Sequence, residues 1–242
     1  MMLPVGFVGG FGTAAAVGSA LEEIGVAEAS SLGFTSATVG TIVAIVGGVI
    51  MANWGIRTGR ASQLRGELPK ELRTGYIDNE AERPSIGRAT TNPSAIEPLA
   101  LHVGFIAFTV LIGYTVNQLI KSQWPNASIP LFAMSFVIGL IGRALLRALK
   151  RPNYLDRDTV TSLSGAATDY MIAFGIASII PAALAGYWQA LVLLFVLGTV
   201  FCVGWMLWAG PTFFGENWLE RGIFGWGWAT AAVATGIALL KM

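Results

Sequence analysis

The chain of 242 residues is 54% hydrophobic and 12% charged, with a formal net charge of +1. That balance excludes a water-soluble globular domain and points to an all-α integral membrane protein, with the lipid bilayer as its surroundings and no nucleic acid as partner. The single cysteine, Cys202, lies inside an apolar run and reads as a packing residue, which excludes a disulfide framework, a cysteine zinc site and a dithiol redox centre.

No basic stretch precedes the first apolar run, and the first Lys or Arg is Arg57, so the start reads as embedded in the membrane rather than as a secretory signal. Roughly 20 apolar residues in a helix cross a hydrocarbon core of about 30 Å. By that measure five full spans are expected, at 34 to 56, 96 to 120, 129 to 148, 160 to 180 and 187 to 208. Two further glycine-rich apolar stretches, 3 to 21 and 222 to 240, are interrupted by Gly-aromatic-Gly and are expected to be broken segments.

Charge orients the spans. The connection from Arg57 to Ala95 carries Arg57, Arg60, Arg65, Lys70, Arg73, Arg83 and Arg88, and the turn near 149 to 159 adds Lys150, Arg151 and Arg157. Both are expected on the cytoplasmic side. Segment 22 to 33 has only acids, 121 to 128 has only Lys121, and 181 to 186 has no charge, so these face outward and the alternation is consistent. Arg143 and Arg147, one helical turn apart, are expected to reach for the cytoplasmic surface. The stretch 57 to 95 reads as a solvated linker.

The motif Gly10-Phe11-Gly12-Thr13-Ala14-Ala15 recurs loosely as Gly225-Trp226-Gly227-Trp228-Ala229-Thr230-Ala231-Ala232, with one inserted residue. The topology makes the two broken segments enter the membrane from opposite faces. Discontinuous segments at matching places in two inverted halves are a signature of secondary transporters, whose substrate binds between the halves. Glycine lets backbone approach a ligand, and a helix starting near Thr13 aims free N–H groups at it. Ala14, Ala16, Gly18 and Ala20 read as close-packing positions.

Gly9 to Thr13, followed by Gly33-Phe34-Thr35-Ser36-Ala37-Thr38, resembles the sodium/glutamate symporter family, with its Gly-Gly-His-Gly-Thr re-entrant motif and Gly-Phe-Thr-x-Ala-Thr start of the next span. Phe224-Gly225-Trp226-Gly227-Trp228-Ala229-Thr230 is similar to the family's second hairpin motif, Phe-Gly-x-Gly-Ala-Thr. Phe11 stands where the family has histidine, and the second tip carries two tryptophans. The resemblance implies an inverted-repeat fold with two re-entrant hairpins and sodium as coupling ion. It maps the hairpin tips onto Gly10, Gly12, Thr13, Gly225, Gly227 and Thr230, with Phe11 and Trp226 joining them as candidate substrate- or ion-binding residues.

Asp169 sits mid-span in Ala167-Thr168-Asp169-Tyr170, where a carboxylate costs about 2.5 to 3.5 kcal/mol on insertion scales. Three roles are open to it: binding sodium with Thr168, taking up a proton, or pairing with another helix. His102 and Asn117 read as interfacial or helix-to-helix hydrogen-bonding groups, and Trp188, Trp205, Trp208, Trp218 and Tyr187 as an interface belt. No Walker-type, Gly-x-Ser-x-Gly or paired-histidine motif supports an enzyme.

Residues 1 to 56 thus read as the end of a first inverted repeat, 57 to 95 as a cytoplasmic linker and 96 to 242 as a second repeat lacking its last span. Matching the halves expects about four more spans before Met1 and one after Met242, hence an incomplete transporter: a gene fragment, an internal start or half of a split system. The function expected is cation-coupled transport of glutamate or a related small anionic or zwitterionic solute in the cell membrane, without an organic cofactor and with a homodimer open to it. The alternative is a non-transporting membrane fragment or interaction subunit of a split transporter.

Overall fold

The computed structural model describes residues 2–60, 76–124, 129–150 and 152–240. Arg65, Lys70, Arg73 and Arg151 of the expected cytoplasmic connections lie outside them. Every regular element among the described residues is helical. A π-helical segment, Leu3–Val8, leads into α1 (Gly10–Glu23), followed by α2 (Ala29–Arg57), α3 (Pro98–Gln123), α4 (Leu131–Ala148), α5 (Arg157–Ala177), the short α6 (Pro181–Ala185), α7 (Trp188–Phe214), α8 (Trp218–Thr230) and α9 (Val233–Leu240).

Four of these helices, α2, α3, α4 and α7, are long and apolar enough to cross a membrane. The chain is a multi-pass membrane protein. The fifth expected span, 160 to 180, is the 21-residue helix α5. Thr161, Ser162, Ser164, Thr168 and Asp169 make it more polar than the other four, and it is not among the candidate spans.

Contacts divide the chain into two compact units, Met1–Glu80 with Ala173–Met242, and Ala81–Ile172. In the first, α2 is the organising helix. Its buried face is a run of small residues, Gly33, Ala37, Gly40, Ala44 and Gly48. Glycine costs about 1 kcal/mol relative to alanine in an aqueous helix interior. Inside a membrane the absent side chains let neighbouring backbones come close, and van der Waals packing replaces the hydrophobic drive.

The π-helical segment follows α2 in one direction and α1 returns in the other. Ser36 Oγ donates to Met2 O at 2.9 Å, Gly6 abuts Ser36, and Phe7 lies against Gly40. The direction then reverses: Phe11 stacks on Phe34 at 6.2 Å between ring centroids, Ala14 lies against Gly33 and Gly18 against Ser30. The turning point is Gly9-Gly10. Gly10 has φ +65°, a backbone conformation that only glycine adopts without strain.

Helices α8 and α9 make a second hairpin on the same face. Gly227 abuts Gly236, whose Cα would lie 2.7 Å from a Cβ at Gly227, so the two helices meet backbone to backbone. Along α2, Trp226 covers Ala44 and Gly47, Thr230 reaches Gly40, and Leu239 returns to Gly48. The break falls at Ala231-Ala232, not at Gly225-Trp226-Gly227 as the motif suggests: α8 continues through that triplet to Thr230. Gly227 is used there for close packing, and the Trp226 indole is satisfied on α2, so neither residue needs to leave the helix.

The unit Ala81–Ile172 pairs α3 with α4 through Gly113 on Ser135 and Gly142 on Phe105. Buried His102 ties α3 to the start of α5. Its Nδ1 donates to Pro98 O at 2.6 Å and its Nε2 accepts from the Asp156 backbone N–H at 2.8 Å. One neutral tautomer satisfies both contacts.

Candidate functional site

The two helix breaks meet. A Cβ on Gly10 would lie 3.0 Å from the carbonyl oxygen of Ala231 and 3.7 Å from Ala232 Cβ, so the turning points of both hairpins touch. They do so beside Gly40, whose missing side chain leaves room for the carbonyl oxygen of Thr230 and the ring of Phe7. The first hairpin reaches Gly40 from the Ser30 end of α2, and the second from the Gly48 end.

Local sequence produces this arrangement. Pro4 starts the π-helical segment and glycines at 9 and 10 end it. At the second break Ala231 and Ala232 both donate their N–H to Gly227 O, at 3.1 and 3.2 Å; the second bond spans five residues rather than four, a wider π-type turn that ends the regular ladder of α8. Thr230 Oγ1 donates to Trp226 O at 2.6 Å. The junction therefore holds the N-terminal end of α1 and the C-terminal end of α8. One presents free backbone N–H groups, the other free carbonyl oxygens, with the helix dipoles adding partial positive and negative charge.

Of the residues expected at the tips, Gly10 and Thr230 lie at the junction itself. Gly12 and Thr13 occupy the first turn of α1, half-buried, and the Thr13 hydroxyl has no hydrogen-bond partner among the described residues. Phe11 is buried but turned sideways, against Phe34 and Gly175. Trp226, only 2% exposed, donates its Nε1–H to Ala44 O at 3.0 Å. Gly227 is in the seam with α9, and Gly225 faces open space.

Thr168 and Asp169 belong to the other unit, where both are exposed. Thr168 Oγ1 donates to Ser164 O at 2.8 Å, and the Asp169 carboxylate has no partner among the described residues. No group of three or more His, Cys, Asp or Glu gathers as a metal site among the described residues.

Sequence reading missed Gly40, Phe7, Ala231 and Ala232. The spacing of small residues at 33, 37, 40, 44 and 48 was the signal for the first of these: it marks one face of a helix meant for close approach. Nothing local marks the two alanines, because the break depends on what α8 meets.

A family model described as sodium/glutamate symporter matches residues 3–227. The chain belongs to the sodium/glutamate symporter family. Its match begins in the π-helical segment and ends inside α8 at Gly227, so it holds the whole first glycine motif of this symporter family member and the second as far as Gly225-Trp226-Gly227. No curated protein and no solved structure matches the chain. The family is one of membrane transporters, in keeping with the four apolar helices.

Proposed function

We propose that this chain carries sodium-coupled transport of glutamate or a related small anionic or zwitterionic solute, and that solute and ion bind where the two helix breaks meet at Gly40. The observation that carries this reading is the contact of Gly10 with Ala231 and Ala232, made by two hairpins reaching α2 from opposite ends. In this reading the hairpins are re-entrant and belong to two inverted repeats.

Each half of the junction has its own chemistry. The N-terminal turn of α1, with the N–H groups from Gly10 to Thr13, suits a carboxylate, because unsatisfied N–H groups and the helix dipole both favour negative charge. The carbonyl oxygens of Thr230 and Ala231 and the hydroxyl of Thr13 suit a hard cation such as sodium. Binding both together brings opposite charges side by side, which gives coupling a physical basis. Non-helical backbone is tolerated in a membrane only where protein covers it or a cavity holds it, and α2 covers this one. Asp169, with Thr168, is a separate candidate for a cation or a proton.

Uptake of labelled glutamate into proteoliposomes holding the chain tests the proposal. An inward sodium gradient should drive accumulation, and replacing sodium by choline should abolish it. Uptake indifferent to sodium overturns the coupling. Sodium-driven uptake whose apparent affinities for sodium and glutamate are unchanged in Thr13→Ala, which removes the one side-chain ligand, moves the site away from the junction. Loss of sodium dependence in Asp169→Asn assigns the cation to the second candidate.

A further inference from the structure

We infer that a cleft among α3, α4 and the start of α5, lying wholly within the unit Ala81–Ile172, binds the phosphate headgroup of an anionic phospholipid. The cleft has a volume of about 920 Å³, and no residue of the hairpin junction lines it. Arg143 and Arg147 of α4 and Arg157, the first residue of α5, are on its wall. None of the three guanidinium groups has a hydrogen bond or ion pair among the described residues.

The three positive charges on the wall meet one carboxylate there, so the cleft keeps a net positive charge. The carboxylate that shares the wall is Asp156, and its Oδ2 is already committed to Thr159 N–H at 2.8 Å, Thr159 Oγ1 at 2.9 Å and Arg88 N–H at 3.1 Å. Three unpaired arginines on the wall of one cleft, all exposed, call for an anion with several acceptor oxygens. Arginine's planar fork fits phosphate in a bidentate manner, with charge-assisted bonds roughly twice as strong as neutral ones.

A lipid, rather than a free phosphate, is favoured by what lines the rest of the cleft. Phe105, Ile106 and Val160 supply an apolar wall, and α4 has no buried residue anywhere along its length. Acyl chains would cover those apolar sides while the headgroup meets the arginines. The arginines also sit at the right level, in the last two turns of α4 and the first turn of α5, where a span meets the headgroup layer. Their charge assigns this end to the cytoplasmic leaflet, which is the anionic one, and basic pockets between spans on that side are suited to phosphorylated headgroups. The inference stands independently of the transport reading.

Native mass spectrometry of the purified full chain, titrated with phosphatidylglycerol or with phosphatidylcholine of the same acyl chains, tests it. Phosphatidylglycerol should be retained about tenfold better, the scale of one to two charge-assisted bonds. The triple variant R143Q/R147Q/R157Q should lose that preference, and R143K/R147K/R157K should keep part of it, because charge remains and the fork does not. Circular dichroism and single Arg→Gln variants, each expected to reduce the preference about two- to fivefold, guard against a folding artefact. Inorganic phosphate at millimolar concentration should leave the lipid bound. Equal retention of the two lipids, an undiminished preference in the triple variant, or displacement by inorganic phosphate would overturn the lipid assignment, the last in favour of a free anion.

Discussion

The carbonyl oxygen of Thr230 fills the space that a side chain at Gly40 would occupy. Thr230 is fully buried and ends α8, while Gly40 lies in the interior of α2, so this single approach fixes how deep the second hairpin reaches. Phe7 packs on the same glycine from the first hairpin, and one position therefore sets both tips.

Gly40→Ala should push the tips apart. A methyl group there meets backbone, which cannot rotate away, so a loss of about 1 to 3 kcal/mol is expected from overpacking, together with loss of transport. Gly225→Ala is the control, because nothing lies within 4 Å of its added Cβ. Thermal unfolding of the two purified variants should show a lower midpoint for the first and an unchanged or slightly higher one for the second.

Trp226→Phe keeps an aromatic ring against Gly47 and removes the bond from Nε1 to Ala44 O. The expected loss is about 0.5 to 1.5 kcal/mol, typical of one buried hydrogen bond. If the indole served the solute directly, the apparent affinity for glutamate would change more than the unfolding midpoint does. Measuring both separates the two roles.

Phe11→Leu removes the ring stacked on Phe34 and should cost about 0.5 to 1.5 kcal/mol in aromatic pairing alone. Because the Phe11 ring is turned toward Gly175 rather than toward Ala231, the variant should transport with an unaltered affinity for sodium. A large shift in sodium affinity would instead put Phe11 in the ion site.

Acid should loosen the unit Ala81–Ile172 through Asp156. Hydrogen bonds from the Thr159 N–H, the Thr159 hydroxyl and the Arg88 N–H hold its carboxyl below the ordinary 3.8, outweighing partial desolvation. A carboxylate with a lowered folded pKa contributes stability that is fully present above the unfolded value and is lost as pH falls through the folded one. Unfolding midpoints measured from about pH 6 down to about pH 3 should therefore decline below about pH 4, and Asp156→Asn should flatten that decline.

The four long apolar helices were legible because membrane insertion depends on length and composition, both one-dimensional properties. The first break was legible to within a few residues: glycines permit a backbone turn whatever surrounds them, but the turn falls at Gly9-Gly10 and α1 already includes Phe11 and Gly12, ahead of the start expected near Thr13. The second was misread by several residues. Gly225-Trp226-Gly227 looks like a breaker, yet it stays helical because Gly236 and Ala44 supply packing and a hydrogen-bond acceptor from elsewhere in the chain. The buried bridge from His102 to Asp156, 54 residues apart, was legible only as a histidine in need of a partner.

By itself the sequence determined the class of the protein, the position of its apolar helices and the motifs by which it resembles its family, since these follow from composition and local residue order. Only the tertiary structure decided that Gly10 touches Ala231, that Gly40 receives Thr230 and Phe7, and that three arginines from two helices share a cleft. Those relationships depend on which surfaces meet, and a small residue states that something may come close without stating what does.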